Sequence, residues 1–238
     1  MERTLKIGNV GLGKVPRIAA ILHNRLPAGT LKSLQKRGAD LVEARIDLFH
    51  PFKVDAITTA LKRIKELAKM PVIGTIRRPG DGGSKGIPEP LRLEIFKAVI
   101  PYVDCVDIEI DAPIVDDVIG LTKGKGRRVI TSYHNFDETP PDRRLAIIIR
   151  QGKNRGGDIV KLAVMARETE DILRLMALTE RYKELHLITI AMGKTGRISR
   201  LVAPFFGSHI TYGYVTAPVA PGQFSVAQIK RVFDLIKG

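Results

Sequence analysis

Eight apolar strand candidates alternate with eight amphipathic helix candidates along 238 residues, and that alternation predicts an α/β fold of the (β/α)8 TIM barrel type. Two further observations support it. The length suits a barrel folded as one domain over residues 1–238, and no linker, low-complexity tract or internal repeat divides the chain. No glycine-rich dinucleotide turn follows the first strand, which weighs against the alternative, a doubly wound open sheet.

Gly8, Gly11 and Gly13 punctuate residues 5–7, Val10 and residues 14–15, a pattern expected of an N-terminal β-hairpin closing the bottom of the barrel. The first barrel strand is the apolar run RIAAIL, 17–22, followed by a helix near 30–37. The second strand, DLVEARI at 40–46, alternates charged and apolar residues, so its two faces differ. A helix at 53–69 carries apolar residues at helical spacing and leads to the third strand, PVIGTI at 71–76. A helix at 88–99 precedes DCVDIEI, 104–110. A helix at 113–120 precedes RVITS, 128–132. A helix at 141–151 leads to GDIVKLA, 157–163, and one at 168–182 to LHLITI, 185–190. A helix at 195–202, the strand SHITY at 208–212 and a last helix at 225–237 complete eight units.

Composition narrows the function classes. No apolar run approaches the roughly 18 residues of a membrane span. The N-terminus lacks the apolar core of a signal peptide, so a cytoplasmic enzyme with no membrane partner is expected. One cysteine, Cys105, excludes an intrachain disulfide and a cysteine-rich metal site, and its setting between Asp104 and Val106 predicts a buried, inert thiol. The net charge is +14, from 39 Lys+Arg against 25 Asp+Glu. That excess suits an anionic metabolite or, as an alternative, nucleic acid. With five Tyr, no Trp and no aromatics among the basic clusters, no stacking platform for bases is present, so no nucleic-acid partner is expected. Four Asn, four Gln and many charged residues lean toward a thermophile.

One lysine stands out. Lys161 occupies the centre of the apolar strand Ile159-Val-Lys-Leu-Ala163. A buried ammonium is costly, and a neutral amine in its place is a nucleophile for carbonyl carbons. The alternative is a lysine simply paired with a carboxylate. On the second strand, Glu43, Arg45 and Asp47 share one face, expected to point into the barrel; the alternative there is a structural layer of ion pairs. Asp107 and Glu109 share a face of the fourth strand. His134, in the first residues of the loop after the fifth strand, is placed for a general base. Arg77 and Arg78 end the third strand before a glycine-rich loop. Met192-Gly-Lys-Thr-Gly-Arg-Ile-Ser-Arg200 leaves the seventh strand through two glycines, a setting in which Arg200 and a helix start favour a carboxylate or phosphate. It lacks the spacing of a P-loop. Gln223, after a Pro-Gly turn, offers an amide to substrate oxygens.

Glu43-Ala-Arg-Ile-Asp47, Ser132-Tyr-His134 with Phe136 and Thr139-Pro140, Lys161 within Asp-Ile-Val-Lys-Leu-Ala-Val-Met165, Met192 to Arg200, Phe206-Gly-Ser208 and Ala220-Pro-Gly-Gln223 occur in one order along nearly the whole chain. In these motifs the chain resembles the type I 3-dehydroquinate dehydratases of the shikimate pathway. The resemblance implies a cofactor-free barrel, a homodimer, and dehydration of 3-dehydroquinate to 3-dehydroshikimate through a lysine Schiff base, without metal. It implies that Lys161 forms the imine and His134 moves the protons. Arg200 would hold the substrate carboxylate, Glu43, Arg45 and Gln223 would fix the ring hydroxyls and carboxylate end, Arg77 would help close the site, and Glu109 would orient the lysine and histidine. The chain departs from the family pattern at Asp81, where a glutamate is usual, at Val219 and Ile21, where hydroxyls are usual, and at Ile190, which leaves Met192 as the strand-seven methionine. A class I aldolase or transaldolase would use the same lysine on the same fold and is the alternative enzyme.

Overall fold

The computed structural model describes residues 5–218 and 222–237. A short antiparallel pair, β1 (Lys6–Ile7) and β2 (Val10–Gly11), precedes eight strands: β3 (Arg17–Leu22), β4 (Leu41–Arg45), β5 (Val72–Thr75), β6 (Cys105–Glu109), β7 (Arg128–Asn135), β8 (Ile159–Met165), β9 (Leu187–Met192) and β10 (Ile210–Tyr214). These eight are parallel and follow chain order from β3 to β9, with β10 beside β3. A bridge between Leu187 and Ser208 brings β10 round to β9, so the sheet curls into a nearly closed barrel. The strands follow one another without a reversal of order, so the doubly wound alternative falls away.

Helices α1 (Ala28–Ser33), α2 (Val54–Ala68), α3 (Glu89–Val99), α4 (Val115–Gly124), α5 (Asp142–Asn154), α6 (Thr169–Arg181), α7 (Gly193–Gly196), α8 (Ser199–Val202) and α9 (Val226–Lys237) lie between and after the strands. In α2 the spacing of Ile57, Leu61 and Ile64 sets one apolar stripe, which packs with Val42, Val72 and Val106 from the outward faces of the strands. The inward faces contribute Ala19, Leu41, Ile73, Ile130, Ile159, Ile188 and Ile210, which fill the lower barrel. A fully buried aliphatic side chain stabilises by about 1.5–3 kcal/mol relative to exposure. Leu5, Ile7 and Leu12 join the inner cluster, so the N-terminal hairpin does plug the bottom. Its turn needs Gly8, with φ +56 and only 3.0 Å between an added Cβ and Pro71. The hairpin is shorter than expected, since Lys14 and Val15 lie outside it.

An aspartate recurs just before three strands. Asp40, Asp104 and Asp158 each accept a hydrogen bond from a backbone N–H of the preceding strand, from Ile18 (2.9 Å), Val72 (3.0 Å) and Val129 (2.9 Å). Each also binds a basic side chain: Arg17, Lys65 with Arg127, and Arg128. These carboxylates satisfy strand starts that would otherwise expose donors at the barrel rim.

Two boundaries differ from the sequence expectation in ways that matter for the site. Strand β7 continues through Asn135, because Tyr133, His134 and Asn135 keep pairing with Leu162, Ala163 and Val164 of β8. His134 is therefore on the strand end, not in the loop. The helix expected at 195–202 is two short turns, α7 and α8, docked on β9. Gly196 backs onto Ala191 with no room for a Cβ, and Ser199 Oγ bonds both the N–H and the carbonyl of Ala191.

Candidate active site

The C-terminal ends of the strands surround a cavity of about 240 Å³. Glu43, Arg45, Arg77, Asp81, His134, Lys161, Met192, Arg200 and Gln223 line it, with Ile21, Phe136, Ala163, Ile190 and Tyr212 supplying apolar wall. Every polar residue singled out above for a catalytic or binding role lines it except Glu109. Ile21 and Ile190, two of the departures, give apolar surface where hydroxyl and thioether were expected. Val219 lies outside the described residues, as do Ala220 and Pro221.

Lys161 points inward because it alternates with Val160 and Leu162, which join the outer apolar cluster. Its amine lies 3.0 Å from Asp107 Oδ2 and 3.9 Å from Glu43 Oε1, and 4.5 Å from the centre of the Tyr212 ring. Glu43 is fixed in turn by the Thr75 hydroxyl, which donates at 2.9 Å. Asp107 is fully buried and accepts from Arg77 Nη2 (2.7 Å) and from the Ser132 hydroxyl (2.7 Å). Burial alone would raise its pKa, but Arg77 and Lys161 outweigh burial and hold the carboxyl well below the usual range.

Two side chains sit elsewhere than the sequence expectation had them. The carboxylate beside the lysine is Asp107, and Glu109 is engaged elsewhere. It is bound by Arg77 Nη1 (2.9 Å), by the Arg92 guanidinium and by the backbone N–H of Arg78 (3.2 Å). Asp107, one alternation earlier on β6, takes the place beside Lys161 because the register pairs it with Thr75 and Ile130, deeper in the barrel. Arg77 does not close the site from above. It is buried at the floor, where Asp107, Glu109 and Glu43 overcome the burial penalty and raise its pKa.

His134 is held between the floor and the loop after β5. Burial, then the cations Arg77 and Lys161, push its pKa down to about 4, against the raising effect of Asp81. Its Nδ1 faces Asp81 Oδ1 at 3.5 Å, an ion-pair distance too long for a good hydrogen bond. The Phe136 ring stacks on it, with centroids 6.3 Å apart. The loop is tied down from both sides. Arg78 grips Asp81 Oδ2 with Nε (3.1 Å) and Nη2 (2.9 Å). Asp47 receives the Ser84 N–H (3.2 Å), and its carbonyl takes the Ser84 hydroxyl (2.6 Å) and the Lys85 amine. Asp47 also binds Arg45 through Nε (2.9 Å) and Nη2 (2.8 Å), so the same buried carboxylate aims a cavity arginine and pins the loop. It is not on the cavity wall: β4 ends at Arg45 and a 3-10 turn at Ile46–Leu48 breaks the alternation that would have aimed it inward.

Arg200, on α8, is buried, and desolvation lowers its pKa to about 10. Its carbonyl accepts from the Thr211 hydroxyl at 2.7 Å, which anchors the α8 backbone to β10. Gln223 is buried, and its neighbour Gly222 packs against Gly193 and Arg197, just ahead of α8. Among the described residues no three His, Cys, Asp or Glu side chains are grouped to hold a metal ion. Sequence reasoning left Asp107 without a role and missed Ser132, Arg92 and the loop-pinning function of Asp47. Asp107 was findable, since it shares the face of Glu109. Arg92 was not, because it comes from a helix, α3, and reaches in to the carbonyl of Ile76.

The arrangement offers an amine beside a carboxylate, a histidine uncharged at neutral pH, and a rim arginine able to bind an anion. Comparison with known proteins agrees with this chemistry. The sequence model of the family described as "Type I 3-dehydroquinase" matches residues 27–238. A 3-dehydroquinate dehydratase of Methanococcoides burtonii is 33% identical over 235 residues, 98% of this chain and 100% of that protein. One from Thermodesulfovibrio yellowstonii is 35% identical over 225 residues, 94% and 97% of the two chains. The crystal structure of 3-dehydroquinate dehydratase from Geobacillus kaustophilus, 28% identical, aligns with a TM-score of 0.92 over 99% of this chain and 97% of that one. A type I enzyme from Clostridium difficile, solved with covalently modified comenic acid, is 26% identical with a TM-score of 0.90 over 99% and 98%. With the family model matching residues 27–238 and relatives and fold agreeing over nearly the full length, the chain belongs to the type I 3-dehydroquinase family.

Proposed function

We propose that this protein is a 3-dehydroquinate dehydratase, a hydro-lyase of the shikimate pathway, working through an imine at Lys161. The observation that carries the site assignment is the amine of Lys161 in the cavity at the strand ends, 3.0 Å from Asp107, with the uncharged His134 on the adjacent strand. Lys161 Nζ adds to the C3 carbonyl, and loss of the carbonyl oxygen as water gives a protonated imine. That imine draws electrons from the adjacent C2–H bond. His134 takes the C2 proton. Because Asp81 faces Nδ1, the tautomer with hydrogen on Nδ1 is favoured and Nε2 is the accepting atom. The resulting enamine pushes its electrons back and expels the C1 hydroxyl, which leaves as water with the proton from His134. Hydrolysis of the imine releases 3-dehydroshikimate and restores the amine.

Asp107 and Glu43 hold the amine in place, and Ser132 and Arg77 hold Asp107. Arg200 takes the substrate carboxylate with two parallel donors, and Glu43, Arg45 and Gln223 meet the ring oxygens. Residues 1–238 form one domain in this reading, and the protein is a cytoplasmic homodimer from a thermophile.

Borohydride in the presence of 3-dehydroquinate tests the imine. Inactivation with the reduced ligand mass on Lys161 is expected, and Lys161→Ala should lose several orders of magnitude in kcat. Intact-mass and peptide spectra with no adduct, or with the adduct on another lysine, would overturn the assignment. Formation of the conjugated enone product separates dehydration from aldol cleavage, which also passes through an imine.

A further inference from the structure

Arg78 sits on the opposite side of Asp81 from His134. Its guanidinium takes Asp81 Oδ2 with two donors, while Oδ1 of the same carboxylate faces the imidazole at 3.5 Å. We propose that Arg78 is a positioning residue for the histidine: it draws the Asp81 carboxylate outward and keeps it from closing onto the ring. This rests on the reading above, in which His134 transfers protons.

The clasp has a rigid frame. Pro79–Asp81 is one 3-10 turn, closed by Asp81 N–H on the Arg78 carbonyl (3.0 Å), Gly82 N–H on Pro79 (3.1 Å) and Gly83 N–H on Arg78 (2.8 Å). Gly82 has φ +85, and a Cβ there would meet Phe136 at 2.9 Å, so the turn is seated against the ring that stacks on His134. The guanidinium is held from outside by Asp111 Oδ1 at 2.5 Å, and its backbone N–H is fixed on Glu109. A short carboxylate on a fixed turn cannot serve two cations equally. Two donors and a second anchor on the Arg78 side leave the histidine the longer contact.

The charged groups facing His134 are Asp81 from the loop, Arg77 at the end of β5, Lys161 on β8 and Asp107 on β6. Asp107 is already bound by Arg77, Lys161 and Ser132. Asp81 is thus the carboxylate whose hold on the ring can change, and Arg78 sets that hold. An imidazole gripped tightly by Asp81 would carry a proton at higher pH and be a poorer acceptor for a substrate proton.

The test follows the His134 ring by NMR in the ligand-free protein, the signal assigned by its absence in His134→Ala. In Arg78→Gln the titration should move upward by on the order of one unit. The acid limb of kcat/KM for 3-dehydroquinate should move with it, while KM changes little, since Arg78 is not on the cavity wall. Arg78→Lys, which keeps the charge without the fork, should restore part of the shift. The turn's backbone bonds survive either substitution. Should Arg78→Gln fail to fold, Asp111→Asn loosens the outer anchor and should give a smaller shift in the same direction. An unshifted His134 in the folded variants, even with lower activity or melting temperature, overturns the proposal and leaves Arg78 a structural contact. A wild-type protein that does not turn over 3-dehydroquinate defeats the enzymatic reading instead, and the NMR titration still decides the clasp.

Discussion

Stability should fall between pH 7.5 and 4.5 because of two buried histidines. His134 at the site and His209 near the barrel bottom both have pKa values lowered to about 4, in each case first by burial. His209 contacts His186, with Nε2 2.9 Å from Nδ1 of that ring. An unfolded histidine takes up its proton near pH 6.5, whereas these two resist until about 4. Between those values the unfolded state binds more protons, so stability rises with pH through the window and is lost as pH falls. Integrating the linkage gives roughly 2.5 kcal/mol per histidine between pH 7.5 and 4.5, or about 5 kcal/mol for the two. The buried carboxylates act at lower pH. Asp81, Asp107 and Glu109 have depressed values, so their stabilisation is present above the unfolded carboxylate range and drains away below it. Urea unfolding at the two pH values measures the loss directly. In His209→Gln the absolute stability drops at both pH values as the contact with His186 changes. The pH-dependent loss, however, should shrink by about half, to roughly 2.5 kcal/mol. A variant that loses as much as the wild type between pH 7.5 and 4.5 refutes the assignment of this window to His209.

Two further outcomes concern the reaction. His134→Ala should lower turnover by roughly 10²–10⁴-fold yet still be trapped by borohydride on Lys161, since the imine forms at the amine; near-wild-type turnover would remove His134 from the chemistry. Arg200→Lys should raise KM for 3-dehydroquinate by about tenfold or more, the loss of one charge-assisted bond of about 1.5–3 kcal/mol, with the melting temperature nearly unchanged. A lower melting temperature with unaltered KM would instead make Arg200 a structural group.

The fold was legible because each unit repeats the same signals. Apolar runs of four to eight residues, bounded by Gly, Pro or Asp, gave the strands, and their boundaries fell within a few residues of those observed. The misses have local causes. The start of β8 slipped two residues later because Gly157 and Asp158 are used in docking: a Cβ at Gly157 would meet the Thr131 hydroxyl at 2.4 Å, and the Asp158 carboxylate bonds the N–H of Val129. The helix at 195–202 broke because Gly196 presses against Ala191, a contact that helical periodicity does not register. The extra length of β7 came from pairing with β8, a tertiary effect invisible in residues 133–135 themselves.

For the site, period-two alternation assigns a face but not a partner. It aimed Glu43 and Lys161 inward, where the structure has them, but it left His134 in a loop and gave no reason to prefer Glu109 over Asp107 as the neighbour of the lysine. That choice depends on the stagger of β5, β6, β7 and β8, which sets Asp107 level with Thr75 and Ile130. Nor does alternation reveal Arg92, which enters from α3 and donates to Glu109 and to the carbonyl of Ile76. Of the two readings of the inward charges, the ion-pair layer is present in the structure, and the proposed reactive groups lie above it. Arg77, Arg92, Asp107 and Glu109 form a buried network with every partner in reach. Lys161 and His134 stand on top of it, facing the cavity. Leaving any one of these charges unpaired in the interior would cost several kcal/mol, so the network has few alternative arrangements. That rigidity passes upward: Asp107 can hold the Lys161 amine in one place because Arg77 and Ser132 hold Asp107.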